Sequence, residues 1–132
     1  MPHFENASDA ISDLRAKNQI QYAVEDKFSV NVPSALISKE AENMLLHHPT
    51  VNRVDAEDVK RIQDGWQQFY QDHPGAAGIL SISRVGFNSD KSLAVVYIAA
   101  KTSMMMANGK CYLLAKKNGS WEIEKEEMIW FS

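Results

Sequence analysis

The segment spanning residues 110–131 constrains the fold more than any other part of this chain. It consists of two alternating runs, residues 110–117 and 121–131, separated by Asn118-Gly119. Asn-Gly between alternating runs is the strongest short signal for a β-hairpin, because both central positions of the favoured turn need positive φ. The pattern therefore predicts that the chain ends in an antiparallel hairpin.

Two further strands are predicted before this hairpin. Residues 78–87 precede a turn-rich break, and residues 92–100 form the most apolar run, which belongs in the centre of a sheet. Residues 101–109 are predicted to be a longer connection into the hairpin. The second half of the chain should therefore form a four-stranded antiparallel meander.

Helix signals fill the first half of the chain. The clearest helix begins after Asp55 and ends at His73-Pro74-Gly75, and its apolar residues lie at helical spacing. They form one stripe, which consists of Val59, Ile62, Trp66, Phe69 and Tyr70. We also expect a helix over residues 7–17 that can continue to about residue 28, a short strand over residues 28–32 and a short helix over residues 39–46.

Helices followed by an antiparallel sheet are typical of an α+β fold. We expect a single domain over residues 1–132, with N-terminal helices in residues 1–75 packed on the four-stranded antiparallel meander in residues 78–131. NTF2-like and cystatin-like folds share this order of elements. That analogy concerns the fold and carries no function by itself.

Several segments resemble a family of uncharacterised bacterial proteins. In chain order they are GWQQFY at 65–70, HPG at 73–75, SRVGFN at 83–88, AVVY at 94–97, GSW at 119–121 and IWFS at 129–132. The family has no established activity. The resemblance therefore supports the architecture and implies no catalytic residue.

Composition places the chain among soluble single-domain proteins. Its 132 residues are 45% hydrophobic and 23% charged, which is enough to bury a core without a disulfide or a metal. The single cysteine, Cys111, excludes an internal disulfide and favours a reducing compartment. Residues 1–20 lack a signal-peptide pattern and the longest apolar run, residues 93–100, is too short for a bilayer, so we expect a cytoplasmic protein.

The sequence offers few groups for a reactive centre. His47 and His48 are adjacent, which points them about 100° apart on a helix and does not suit a shared metal. Cys-x-x-Cys pairs, a Gly-x-Ser-x-Gly elbow and glycine-rich phosphate loops are all missing from the sequence. A carboxylate–histidine pair built from Asp64 or Asp72 with His73 is the remaining acid–base option. We therefore expect no catalytic residue, metal or cofactor.

Arg84 interrupts a run that otherwise alternates like a strand. Its guanidinium could bind a phosphate or a carboxylate through a bidentate fork. The structural interpretation is that it lies at the solvent end of the strand and pairs with an acidic residue such as Asp90 or Glu122. We favour the structural interpretation, in which residues 83–88 form a bulge or a turn.

Two surface features suggest a binding role. A predicted loop contains Met104, Met105 and Met106, and methionine suits adaptable binding surfaces. The alternative is that one or two of the three simply plug the end of the sheet. Along the last strand, the carboxylates of Glu122, Glu124 and Glu126 line one face if that strand runs without a bulge. This face is either simply solvated or a ridge for a basic partner.

These features favour a non-enzymatic domain that binds another protein. The specific hypothesis is an immunity protein that neutralises a basic toxin domain by covering its active surface, whereas the net charge of −3 argues against nucleic acid as a partner. The alternative is an NTF2-like protein or enzyme that binds a small molecule between the third helix and the sheet. Its pocket would use Trp66, Tyr70, Arg84 and Tyr97. A third possibility is a homo-oligomer formed through the open sheet face.

Overall fold

The computed structural model describes residues 4–19, 56–103 and 105–131. By internal contacts the chain divides into two compact units, one comprising Met1–Gln21 with Gly78–Ser132 and the other Tyr22–Ala77. The fold is α+β, with two helices and five antiparallel strands in the described ranges. The strand expected over residues 28–32 and the helix expected over residues 39–46 lie outside those ranges.

The predicted terminal hairpin is confirmed. Strands β4 (Met106–Lys117) and β5 (Ser120–Phe131) pair antiparallel from Asn108 and Phe131 at one end to Lys117 and Ser120 beside the turn. Asn118 and Gly119 connect them with φ values of 53° and 80°, so both adopt the left-handed conformation that this turn requires.

The expectation of four strands is corrected to five. Strand β3 (Leu93–Ser103) is central as predicted, with β4 on one side of it. On its other side the predicted strand over residues 78–87 is split into β1 (Ile79–Ile82) and β2 (Gly86–Phe87), and both pair with β3. The sheet is thus a meander whose first strand is interrupted.

The interruption is a bulge, as expected for this segment. Ile82 pairs with Ile98 and Gly86 pairs with Val95. The three residues between β1 and β2, 83–85, therefore lie opposite only two residues of β3, 96–97. Ser83 holds the ladder together there: its N–H donates to the Tyr97 carbonyl at 2.9 Å, and its Oγ accepts the Tyr97 N–H at 2.9 Å.

The predicted long connection over residues 101–109 is wrong. Strand β3 continues to Ser103 and β4 already begins at Met106, because Thr102 and Ser103 tighten the turn between them. The Thr102 hydroxyl donates to the Met106 carbonyl at 3.2 Å, and the Met105 N–H donates to Ser103 Oγ at 3.3 Å. Asn108 and Gly109, which look like a turn in the sequence, therefore lie within β4.

Helix α1 (Ser8–Lys17) lies against one side of the sheet, which we call the inner face, and contacts β2 and β3. The predicted helix over residues 7–17 is thus confirmed, and it belongs to the same unit as the sheet. The buried cluster beneath it consists of Phe4, Ala7, Ala10, Leu14, Val95, Cys111 and Leu113. Burial of these side chains is the main stabilising contribution in this unit.

The other unit contains α2 (Ala56–Asp72), and its predicted apolar stripe is confirmed. Ile62, Trp66 and Phe69 are buried, and the rings of Trp66 and Phe69 meet edge to face at a centroid distance of 5.7 Å. The helix ends where the His73 N–H bonds to the Phe69 carbonyl and Gly75 turns left-handed at φ 83°. Asp55, its expected N-cap, lies outside the described residues.

Candidate functional site

The side of the sheet opposite α1, which we call the outer face, carries apolar side chains on every strand. Because directly paired residues of neighbouring strands share a face, the register defines rows that run across the sheet. Three rows consist of Leu80, Ala100, Asn108 and Phe131; Ile82, Ile98, Lys110 and Met128; and Phe87, Ala94, Leu114 and Ile123. Val96, Tyr112 and Glu126 lie between the second row and the third.

Much of the outer face is open to solvent. The exposed fractions are 79% for Phe131, 64% for Leu80 and 63% for Ile123. The other large apolar side chains of this face that are exposed are Ile82, Met106, Trp121 and Met128. Apolar patches of this extent on a soluble protein mark interaction surfaces.

The pattern of β3 reinforces this interpretation. Its residues are apolar on both faces, with Val95 and Ala99 on the inner face and Val96 and Ile98 on the outer face. In an antiparallel sheet with one solvated face the strands usually alternate between apolar and polar residues, and β3 departs from that pattern. The outer face is therefore built like a surface that another layer covers.

Charge on the outer face is sparse and largely balanced. Lys110 forms an ion pair with Glu126 at 3.7 Å in the middle of the sheet, and the ammonium of Lys116 lies 5.9 Å from the centre of the Trp121 ring. These three are the charged side chains that the register places on this face in the described strands. The face is therefore not acidic, although the whole chain is.

The predicted carboxylate ridge is wrong, because β5 does contain a bulge. Leu113 pairs with Lys125 and Leu114 pairs with Ile123, so Glu124 is an extra residue and the alternation shifts by one. Glu122 consequently lies on the inner-face side and Glu126 on the outer face. A single face does not hold all three glutamates.

Each of these glutamates also contacts a lysine. Lys117 pairs with Glu124 and lies 4.0 Å from Glu122, while Lys110 pairs with Glu126. The hydrogen bond from Lys117 holds the pKa of Glu124 below its ordinary value and raises the pKa of Lys117 in return. Such exposed pairs contribute little to stability, but they neutralise the carboxylates that a basic partner would meet.

Of the methionines of the predicted binding loop, Met105 lies in the turn between β3 and β4, and Met106 is the first residue of β4. Met105 and Met106 are exposed, and Met104 lies outside the described residues. Met106 begins β4 two residues before Asn108, so it extends the outer face beyond the row that ends at Phe131. This methionine is therefore part of the same apolar surface.

Arg84 lies in the bulge between β1 and β2 and contacts the end of α1. Its N–H donates to Asn18 Oδ1 at 2.9 Å, and one guanidinium N–H reaches the Lys17 carbonyl at 3.4 Å. A cation at this position complements the negative end of the helix dipole. Asp90, one of its expected partners, accepts hydrogen bonds from the N–H and hydroxyl of Ser92 at 3.0 and 2.6 Å.

The four residues of the alternative pocket fall in different units. In α2, Trp66 stacks with Tyr70 at a centroid distance of 5.9 Å. In the sheet unit, Arg84 contacts α1, and the Tyr97 hydroxyl accepts a hydrogen bond from Trp130 Nε1 at 2.6 Å. Each of these side chains is thus engaged in contacts within its own unit.

The acid–base and metal options gain no further support from the geometry. Asp72 accepts a hydrogen bond from Gln68 at 2.8 Å, and the His73 ring lies 5.0 Å from the centre of the Phe69 ring. Among the described residues, no group of three or more histidine, cysteine, aspartate or glutamate side chains is placed to hold a metal ion. Within those same ranges, no helix has the length and apolar character needed to cross a membrane.

No family profile, curated protein or solved structure matches this chain. The resemblance drawn from GWQQFY, SRVGFN and the other segments therefore stays a prediction. The assignment of a function rests on the surface that the fold exposes.

Proposed function

We propose that this chain is a protein-binding domain and that the outer face of its sheet is the contact surface. The observation that carries the proposal is the set of exposed apolar side chains that the register brings together on that face. Removing them from water would stabilise a complex, at roughly 25 cal/mol for each Å² of apolar area covered.

A protein suits this surface better than a small molecule does. Small-molecule sites combine apolar walls with a few convergent polar groups that orient the ligand. On the outer face, the central polar groups Lys110 and Glu126 already pair with each other, and the large apolar side chains are spread over the strands. That layout favours a partner with an extended apolar surface of its own.

The specific partner that we propose is a toxin domain, which the chain would neutralise as an immunity protein. A net charge of −3 favours encounter with a basic domain at long range. Since Glu122, Glu124 and Glu126 contact lysines, we assign the binding energy to apolar contacts on the outer face and not to a row of free carboxylates.

The test measures binding to, and inhibition of, a toxin domain encoded beside this chain. Ile123→Glu introduces a charge into the outer face and should weaken the complex at least about 30-fold, as expected when an interface side chain worth about 2 kcal/mol is lost. Ser120→Glu adds the same charge at an exposed inner-face position of β5 and serves as the matched control. Unchanged toxin activity at a molar excess of the wild-type chain would reject this partner.

A further inference from the structure

We infer that, in the absence of another partner, the outer face binds the outer face of a second copy of this chain. The inference rests on the proposed function, because it uses the same surface, and it adds that dimerisation and partner binding compete. The free protein is then a symmetric dimer in which two sheets pack face to face.

The exposed area is sufficient for such a dimer. Aromatic side chains present roughly 150–250 Å² each when fully exposed, and the leucine, isoleucine and methionine side chains of this face lie near the lower end of that range. Weighted by their exposed fractions, the seven on the outer face leave on the order of 700 Å² in water, close to the ~800 Å² per partner of a standard interface. Covering them with an identical surface satisfies both copies at once, which is the geometry of a two-fold interface.

The charge distribution permits the outer faces of two copies to come into contact. Two chains of net charge −3 repel each other, but the outer face carries the Lys110–Glu126 pair and Lys116 and not the excess negative charge. Glu122 lies on the inner-face side, and the bulged residue Glu124 is paired with Lys117, which the register also places on that side. Two outer faces can therefore meet without placing a cluster of carboxylates against its own copy.

The edges of the sheet argue for face-to-face packing over edge-to-edge pairing. Strand β5, the last in the sheet order, carries five charged residues and two register shifts, at Glu124 and Ile129. On the opposite side, β1 and β2 have only four and two residues. Charges, bulges and short strands are the devices by which edge strands avoid adding another strand. Of the surfaces of the described sheet, the outer face is the one left for a second copy.

The test compares Ile82→Glu with Ser81→Glu in the full-length chain by sedimentation equilibrium over a wide range of protein concentration. Ile82 lies on the outer face, whereas its neighbour Ser81 is exposed and lies on the inner face. The wild-type chain and Ser81→Glu should show the same concentration-dependent dimer. Ile82→Glu places a charge on both sides of a two-fold interface and should raise the dissociation constant at least about 100-fold.

Repeating the sedimentation measurement at high salt provides a second test of the dimer. An apolar interface should persist at about 1 M NaCl, where interactions between exposed charges are screened within about 3 Å. A wild-type chain that stays monomeric at every concentration overturns the inference, as does a dimer that Ile82→Glu leaves unchanged. Circular dichroism of each variant establishes that its fold is retained.

The outcomes separate this inference from the proposed function. A monomeric wild-type chain whose toxin binding is lost in Ile123→Glu overturns the dimer and leaves the protein-binding proposal standing. A dimer that Ile82→Glu dissociates, together with a toxin domain that binds Ile123→Glu normally, supports the dimer and rejects the proposed partner site. If both hold, a molar excess of the toxin domain should convert the dimer into a one-to-one complex.

Discussion

The side chain of Asn18 bonds to both backbone polar groups of Arg84. Its Oδ1 accepts the Arg84 N–H at 2.9 Å, and its Nδ2 donates to the Arg84 carbonyl at 3.1 Å and to the Leu14 carbonyl at 2.7 Å. Asn18 directly follows α1, so one side chain both ends the helix and joins it to the bulge between β1 and β2. The backbone of Arg84, the second residue of SRVGFN, is therefore tied to the end of α1.

This geometry predicts unequal effects for the two side chains. Asn18→Ala removes all three hydrogen bonds and should lower the free energy of unfolding by about 1–2 kcal/mol. Arg84→Ala keeps both backbone hydrogen bonds to Asn18 and should cost less than about 1 kcal/mol, since the guanidinium is exposed and solvent weakens its contacts, including the long 3.4 Å hydrogen bond to the Lys17 carbonyl. Urea denaturation measures both values. An Arg84→Ala variant as unstable as Asn18→Ala would contradict the prediction.

Gly86 allows α1 to approach the sheet closely. A Cβ at this position would overlap the backbone of α1, reaching the Ala10 carbonyl oxygen and lying 2.7 Å from the Leu14 Cα. Gly86→Ala should therefore separate the helix from β2 and cost about 3 kcal/mol or more.

Gly119→Ala is the matched control for Gly86→Ala. A Cβ at Gly119 would meet nothing within 4 Å, so only the positive φ of 80° opposes the substitution, at about 1–2 kcal/mol. Thermal or urea unfolding ranks the two variants. Equal losses would mean that the close approach of α1 is not what requires glycine at position 86.

The sequence predicted the features that depend on local pattern. The turn at Asn118-Gly119 and the helix from Ala56 to Asp72 follow from turn chemistry and from helical spacing. The break between β1 and β2 does not follow from local pattern, because it arises where Asn18, which follows α1 and lies 66 residues away along the chain, bonds to Arg84. Asn108-Gly109 resembles a turn equally well, yet Gly109 lies in a strand because the indole of Trp130 occupies the space beside it.

The candidate site was predicted less completely for a similar reason. Alternation alone put Glu122, Glu124 and Glu126 on one face, and the bulge at Glu124 depends on how β4 and β5 pair. The apolar alternation of Leu80 and Ile82 is visible in the sequence. The exposure of these two side chains cannot be read from the sequence, because it depends on which side of the sheet α1 covers.

Asp13 should make the docking of α1 sensitive to acid. A hydrogen bond from Lys17 and a second from the Phe87 N–H at 2.8 Å hold the pKa of Asp13 below its ordinary value. A carboxylate with a lowered pKa contributes stability above its unfolded pKa of about 4, and this contribution is lost as pH falls through the folded pKa. The stability difference between the wild-type chain and Asp13→Asn should therefore shrink between about pH 5 and pH 2.

Lys17→Met tests the cause of that dependence. It removes the largest influence on the Asp13 pKa, and with it the ion pair at 2.7 Å, so the loss of stability in acid should become shallower. Denaturant unfolding at a series of pH values measures both variants. A difference between wild type and Asp13→Asn that stays constant down to pH 2 would exclude this role for Asp13.

Cys111 should react slowly in the folded protein. Its side chain is only 4% exposed, and burial raises the pKa of the thiol, with a further increase from the carboxylate of Glu127 on the neighbouring strand. Because the thiolate is the reactive form, a thiol reagent at pH 8 should label the native chain far more slowly than the chain in denaturant. Labelling at the same rate in both conditions would mean that β4 opens readily.

Tyr97 and Trp130 provide the last test, since Tyr97 is also a residue of the alternative pocket. The Trp130 indole donates to the Tyr97 hydroxyl at 2.6 Å, and both side chains lie over Gly109. Tyr97→Phe leaves the half-buried indole N–H without this acceptor and should cost about 1 kcal/mol, with a shift of the indole proton resonance of Trp130. Tyr112→Phe removes a hydroxyl from the outer face and should leave that resonance in place. If Tyr97→Phe left both stability and the Trp130 resonance unchanged, the hydroxyl would have no structural role and the pocket interpretation of Tyr97 would gain weight.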